Sequence, residues 1–218
     1  MNLIDTPHID VKTIIALNVH EVKNLMALLM FKLDTVQVVD DAITESRLLC
    51  HRVNDHMERM LLLFKLQSEH LTPHISDYSP IDFVDEFVAN AQILAGSEIK
   101  IVKDVADAPS YWFFDRELVE IAMMNAIHNA LRFAQHEIKI RAYQANQMLV
   151  LEVTDDGSGY PAEMLAAPVT TFLQTNRGLG LYLAHAIAQI HTNKNSHGQL
   201  SLHNNQHSHG AVFGLQLP

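Results

Sequence analysis

A short acidic, glycine-rich motif, DDGSG at 155–159, follows a run of apolar residues that predicts a buried strand. Gly157 and Gly159 would let the backbone turn sharply and approach a flat ligand. The Asp155 carboxylate could accept a hydrogen bond from an amine such as an adenine amino group. Taken alone, the motif is more often a tight turn, because Asp-Gly turns are common.

A second glycine-rich motif, Gly178-Leu179-Gly180, opens a predicted helix over 178–191. The first N–H groups of a helix have no partner within the helix, and the helix dipole favours negative charge there. Glycine lets a ligand come close to these groups, so the motif favours phosphate binding. A purely structural helix entry explains the same pattern equally well.

Two asparagines, Asn125 and Asn129, lie four residues apart inside a predicted helix and therefore on one face. Their amide oxygens could bind a hard cation such as Mg²⁺, and their N–H groups could bind a ligand. The alternative is a solvated polar face, and the apolar neighbours Met124 and Ile127 argue against it.

A fourth candidate group lies near the N-terminus, where His20 is followed by Glu21 and Asn24. His20 falls beside an apolar seam that includes Val19 and Val22, so it lies on the outer face of a predicted helix. A neutral imidazole with a carboxylate nearby is a competent nucleophile. The chain has 14 histidines, however, and an exposed histidine on a helix is usually a solvated surface residue without a specific function.

The N-terminal region is predicted to form two helices, over 9–37 and 42–68. In the first helix, apolar residues alternate at spacings of four and three, which is the seam of a coiled coil or bundle. The short connection predicts an antiparallel hairpin. Because two helices cannot enclose a core, we expect a homodimer that forms a four-helix bundle.

Proline and serine residues over 71–80 predict a boundary between two domains, residues 1–72 and 73–218. The second domain alternates helices and strands, which predicts an α+β fold with a sheet covered on one face. Its predicted helices are 80–95, 115–134 and 178–191, and its predicted strands are 98–102, 111–114, 137–143, 148–153, 200–202 and 211–217.

Composition excludes several classes of protein. The net charge of −10 disfavours nucleic acid and anionic membrane surfaces as partners. No stretch approaches the ~20 apolar residues of a membrane span. The single cysteine, Cys50, cannot form an internal disulfide and is predicted to be a buried apolar residue. We therefore expect a cytoplasmic protein.

Together and in this order, the four motifs resemble those of the bacterial two-component sensor histidine kinases. The resemblance runs from about residue 9 to 218 and includes the final strand, which begins after Gly210. It implies a dimerisation and histidine-phosphotransfer hairpin, followed by the ATP-binding α/β sandwich shared with the gyrase, Hsp90 and MutL proteins.

The resemblance also implies roles for individual residues. In the hairpin, His20 would accept the phosphoryl group, Glu21 would act as base, and Asn24 would orient water or the acceptor in the reverse reaction. The nucleotide and Mg²⁺ would be held by a second group, in which Asn129 ligates the metal, Asn125 supports it, Arg132 faces the phosphates and Asp155 holds adenine. The backbone that wraps the nucleotide would be supplied by Gly157, Gly159, Arg177, Gly178, Leu179 and Gly180.

The implied activity is ATP-dependent autophosphorylation of a histidine, followed by transfer to an aspartate in the receiver domain of a response regulator. Since only 19 residues precede His20, we expect either a separate sensor protein to supply the input or the chain to be part of a longer protein.

The sequence departs from the family pattern at several positions. Leu25 replaces the proline that bends the first helix, and Asn176 and Arg177 replace a glycine and a threonine. The predicted lid, 160–177, retains Phe172 at most of its phenylalanine motif. The His-rich stretch 192–209 is longer than usual, and its irregular spacing favours a surface loop over a zinc site.

Two alternatives remain open. An ATP-independent phosphotransfer or scaffold protein would keep the hairpin and use a degraded nucleotide domain for docking. An anti-sigma-type serine kinase would normally lack the histidine hairpin, so His20 and Glu21 argue against it.

Overall fold

A computed structural model describes residues 11–34, 46, 49, 50, 53, 57, 60–63, 71–166, 179–206 and 209–218. Within 11–34, the side chains described are those of Val19 and residues 22–33. The chain divides into two compact units, Met1–Leu71 and Thr72–Pro218. Each unit is described by itself.

The N-terminal unit contains one long helix, α1 (Val11–Asp34), within the span predicted for the first helix. The described residues between 46 and 63 are also helical. Cys50 is buried, as predicted. Leu25, Leu28 and Phe31 on α1 are 60%, 52% and 66% exposed, so this helix retains apolar surface that a partner could cover. The antiparallel hairpin and the dimer stay predictions.

The described residues of the C-terminal unit form four helices: α2 (Pro80–Ala95), α3 (Arg116–Phe133), α4 (Ala162–Ala166) and α5 (Leu179–Ile190). The N-caps explain where the first two begin, because Ser79 accepts a hydrogen bond from the Asp82 N–H and Asp115 accepts one from the Leu118 N–H. Helix α2 ends at Gly96, whose φ of 62° few other residues adopt.

Nine strands are described in this unit: β1 (Ser76–Tyr78), β2 (Lys100–Asp104), β3 (Trp112–Phe114), β4 (Glu137–Ala145), β5 (Met148–Asp155), β6 (Thr192–Asn193), β7 (Ser196–His197), β8 (Gln199–Asn204) and β9 (Ala211–Leu217). The main sheet has the order β2-β4-β5-β9-β8. Strands β2 and β4 pair in parallel, and the other neighbours are antiparallel. The predicted α+β fold is confirmed for this unit, and the sheet is mixed.

Register explains where the core lies. Ile138 and Ile140 of β4 pair with Asp155 and Val153 of β5, and all four are buried. Because side chains alternate across a strand, these residues share one face of the sheet, and α2 and α3 pack against the sheet. Asp155 is therefore the last inward-facing position of β5, at the end of an otherwise apolar row.

Several elements differ from the prediction; β2, for example, covers Lys100–Asp104 and not 98–102, and β6 and β7 lie in a stretch predicted mainly as a surface loop. Strand β1 lies in the predicted boundary segment, because residues 76–78 pair with β3, a contact that local composition does not reveal. Helix α4 interrupts the predicted loop over 161–177, of which residues 167–177 lie outside the described part. Strand β8 reaches Asn204, two residues beyond the predicted end, because it pairs with β9 as far as Ala211.

Candidate functional site

Asp155 is held at the end of β5 by two backbone groups. Its Oδ1 accepts hydrogen bonds from the Gly157 N–H at 2.8 Å and from the Ala211 N–H at 3.2 Å. Burial raises the pKa of Asp155, although both hydrogen bonds act to lower it. The side chain is 6% exposed. The site thus presents a buried carboxyl group of fixed orientation.

The two glycines of the motif are required by their neighbours. A Cβ on Gly157 would lie 2.4 Å from the carbonyl oxygen of Phe133, at the end of α3. Gly159 has a φ of 77°, and a Cβ there would lie 2.4 Å from the carbonyl oxygen of His209. The motif is therefore packed tightly between α3 and the β8–β9 connection, whatever it binds.

Asp156 connects the same motif to the segment that follows α3. Its Oδ1 accepts the N–H of Gln135 at 2.7 Å, and its Oδ2 accepts that of His136 at 3.0 Å. Burial acts to raise the pKa of Asp156, but the His136 and Gln135 N–H groups outweigh it and lower the pKa below its usual value. Sequence reasoning missed this role, since the partners are backbone groups that no side-chain pattern marks.

The β8–β9 connection contributes two more residues that sequence reasoning missed. Asn204 accepts the Tyr160 N–H at 2.7 Å and donates to the Tyr160 carbonyl at 2.9 Å. Gly210 lies so close to Asp155 that a Cβ would be 1.8 Å from the Asp155 carbonyl oxygen. The sequence places both residues in or beside a His- and Asn-rich stretch that resembles a surface loop, so only Gly210, before the last strand, offered a signal.

The asparagine motif and the second glycine motif meet between α3 and α5. Asn125 is 4% exposed, and a Cβ on Gly180 would lie 3.1 Å from its Oδ1. Among the described residues, the Asn125 Nδ2 has no hydrogen-bond partner. A buried, unpaired amide is costly and usually marks a functional position or a bound group.

Asn129 and Arg132 continue the same face of α3, four and seven residues after Asn125. Asn129 is half-buried, and Arg132 is exposed. The Arg132 guanidinium carbon lies 5.7 Å from the centre of the Phe133 ring. The face thus runs from a buried amide to an exposed cation, and both kinds of group can bind a negatively charged ligand.

The remaining predicted site residues are only partly described. His20 and Glu21 belong to α1, but their side chains lie outside the described residues, as do Arg177 and Gly178 entirely. Asn24 is exposed on α1. In the part of the chain that the structure describes, no group of three His, Cys, Asp or Glu side chains could hold a metal ion.

Residues 114–218 match the family described as histidine kinase-, DNA gyrase B-, and HSP90-like ATPase. These residues, which all belong to the C-terminal unit, are similar to that ATPase family. The match begins at Phe114, in β3, and ends with the chain, so it includes α3, Asp155 and α5. The motifs described above therefore all lie within the matched residues, apart from the His20 group.

This chain is also similar to individual known proteins in sequence and in fold. A protein of Shewanella frigidimarina (strain NCIMB 400) named as a sensor protein is 25% identical over 163 residues, which is 70% of this chain and 25% of the relative. The chain thus spans a quarter of that relative's length. Histidine kinase AdeS of Acinetobacter baumannii shares the fold over 91% of this chain and 94% of its own, with a TM-score of 0.63 and 20% identity.

Full-length ShkA, solved in complex with AMPPNP, shares the fold over 95% of this chain and 46% of its own, with a TM-score of 0.68 and 17% identity. The resemblance to the sensor histidine kinases that the sequence indicated is confirmed. Within the described residues, no helix is both long and apolar enough to cross a membrane.

Proposed function

We propose that this chain is an ATP-dependent protein-histidine kinase, which phosphorylates its own His20 and passes the phosphoryl group to a response-regulator aspartate. The observation that carries the proposal is the joint placement around α3 of a buried carboxyl, Asp155, and a buried amide, Asn125, whose Nδ2 has no hydrogen-bond partner among the described residues; both lie in a histidine kinase-like ATPase domain. The Asp155 carboxyl fits the base of a nucleotide, and the Asn125 amide fits its phosphates.

Asp155 is the proposed acceptor for the adenine amino group. Among the described residues its hydrogen bonds go to Oδ1, so Oδ2 is the oxygen that we assign to the ligand. Gly157 packs against the end of α3, and Asn125 lies on the same helix, so both proposed groups border α3.

The start of α5 is the proposed phosphate site. Leu179 and Gly180 supply helix N-terminal backbone, where N–H groups and the helix dipole favour anions. Asn125 can donate its unpaired Nδ2–H to a phosphate oxygen. Arg132 adds positive charge at the exposed end of this face, and Arg177 and Gly178, outside the described residues, are assigned to the same site from the sequence.

The residues present fit Mg²⁺ held mainly by the phosphates. This ion prefers oxygen ligands and usually takes few from the protein. The half-buried Asn129 offers an amide oxygen on the face that begins at Asn125. When bound, the ion would neutralise phosphate charge during transfer.

The proposed chemical step takes place on His20. A neutral imidazole nitrogen attacks the γ-phosphorus, the bond to the oxygen of ADP breaks, and ADP leaves. Glu21 accepts the imidazole proton, and Asn24 orients water or the acceptor in the reverse reaction. A second copy of α1 would cover the exposed Leu25, Leu28 and Phe31, which supports a dimer.

The experiment is labelling with Mg²⁺ and γ-labelled ATP. We expect acid-labile label on the wild type and none on His20→Ala, whereas the control His74→Ala, which changes an exposed histidine of the C-terminal unit, should be labelled as wild type. Label that survives in His20→Ala would move the acceptor elsewhere. Absence of ATP binding by the wild type would contradict the kinase and favour the ATP-independent phosphotransfer alternative.

A further inference from the structure

Asn204 ends β8 and joins it to the proposed adenine motif. Its amide makes two hydrogen bonds with the backbone of Tyr160, accepting from the N–H at 2.7 Å and donating to the carbonyl at 2.9 Å. The two residues are 44 positions apart in sequence. The side-chain amide therefore bonds the backbone of Tyr160 as a neighbouring strand would. It holds both the N–H and the carbonyl of that residue in place.

Gly159 shows how closely this segment is held. A Cβ on Gly159 would lie 2.8 Å from the Asn204 Cγ and Oδ1. With its φ of 77°, Gly159 adopts backbone that a larger residue would find strained. The position of the Asn204 amide thus determines where the chain leaves the motif.

Tyr160 links this segment to Asp155. Burial raises the pKa of Tyr160, and the negative charge of Asp155 raises it further, so the phenol stays neutral and is close enough to sense the carboxylate. A shift of the Tyr160 backbone would therefore move a group that borders the proposed base site.

We propose that Asn204 is a positioning residue of the nucleotide site, which holds Gly159 and Tyr160 in place beside Asp155. The inference rests on the proposed ATP-dependent function. Asn204 acts through the backbone of the motif, so its loss weakens the binding of ATP and leaves the chemical step at saturating ATP unchanged.

The test measures the autophosphorylation rate of the full chain against ATP concentration for wild type, Asn204→Ala, Asn204→Asp and the control Asn193→Ala. Asn193 is an exposed asparagine on β6. Asn204→Ala should raise the KM for ATP about tenfold, the effect of losing roughly one net hydrogen bond, with kcat within about twofold. Asn204→Asp should raise the KM for ATP at least as much as Asn204→Ala does, because a carboxylate oxygen would face the Tyr160 carbonyl.

The outcomes separate three cases. A wild type that is not labelled at all contradicts the proposed function itself. An unchanged KM in Asn204→Ala contradicts the positioning role, as does a fall in kcat with KM unchanged, which is the sign of a smaller folded fraction.

Hydrogen exchange of the wild type tests the contact without any variant. The Tyr160 amide should exchange slowly in the nucleotide-free protein, because its N–H donates a hydrogen bond to the Asn204 Oδ1. Exchange as fast as that of the exposed Ser158 amide would overturn the proposal even if every Asn204 variant failed to fold.

Discussion

Two parts of the proposed nucleotide site are built differently. The base side, formed by Asp155, Gly157, Gly159, Asn204 and Gly210, is tightly packed, and its carboxyl and amide groups have partners within the protein. The phosphate side, formed by Asn125, Asn129, Arg132 and Gly180, contains a buried amide with no partner among the described residues and an exposed cation.

The difference indicates how binding and stability are divided. The base side stabilises the fold, because its polar groups hold α3, β5 and the β8–β9 connection together. The phosphate side contains a polar group whose desolvation no described residue compensates, as is common at functional sites. Changes on the base side should therefore cost stability as well as ligand affinity, whereas changes on the phosphate side should cost mainly ligand affinity.

A pair of glycine variants should show the largest contrast. Gly210→Ala would place a Cβ 1.8 Å from backbone of Asp155, which cannot move alone, whereas the nearest atom for Gly180→Ala is the Asn125 side chain at 3.1 Å. We expect Gly210→Ala to lower the free energy of unfolding by more than about 3 kcal/mol and Gly180→Ala by less than about 1 kcal/mol. Urea unfolding measures both, and equal losses would refute the division.

Asp155→Asn should have the largest effect on ATP binding. The amide oxygen can still accept from Gly157, but a donor N–H would replace the oxygen that we assign to the adenine amino group. We expect the Kd for ATP to rise about 100-fold or more, because a buried charge-assisted hydrogen bond is replaced by two facing donors. Titration calorimetry measures it, and Asp77→Asn, an exposed strand residue, should bind as wild type.

Asn125→Leu should change stability and binding in opposite directions. Leucine has a similar volume and removes the unpaired Nδ2–H, so the free energy of unfolding should rise by about 1 kcal/mol. The Kd for ATP should rise about tenfold, because the proposed phosphate donor is lost. A variant that is less stable than wild type would show that the amide has a structural partner and would remove the basis of the contrast.

The smallest expected effect is the opposite pH dependence of two adjacent carboxyl groups. The pKa of Asp155 is raised above 3.8, so its contribution to stability is full below pH 3.8 and is lost as pH rises through the raised pKa. The pKa of Asp156 is lowered below 3.8, so its contribution is full above pH 3.8 and is lost as pH falls through the lowered pKa.

Unfolding of wild type, Asp155→Asn and Asp156→Asn between about pH 3 and pH 7 checks these directions. On acidification, the wild type should gain stability relative to Asp155→Asn and lose stability relative to Asp156→Asn. If the free energy of unfolding of both variants changed with pH in parallel with that of the wild type, neither pKa would be shifted as described.

Much of the fold could be predicted from local pattern. Ser79 followed by Pro80 marked the start of α2, Gly96 marked its end, and the alternation at Ile138 and Ile140 marked β4. These signals are local, since caps, glycines and periodic burial act within a few residues. Strand β1 escaped prediction because its three residues are ordered by pairing with β3.

The sequence by itself determined the identities and order of the residues that could do chemistry. These run from His20 through Asn125 and Asp155 to Gly178 and Gly180. Only the tertiary structure decided which distant residues hold them. Asn204 and Gly210 reach the Asp155 motif through β9, which pairs with both β5 and β8. The partners of both residues are backbone atoms of Tyr160 and Asp155, and backbone atoms are identical in every sequence, so the residue pattern does not identify these partners.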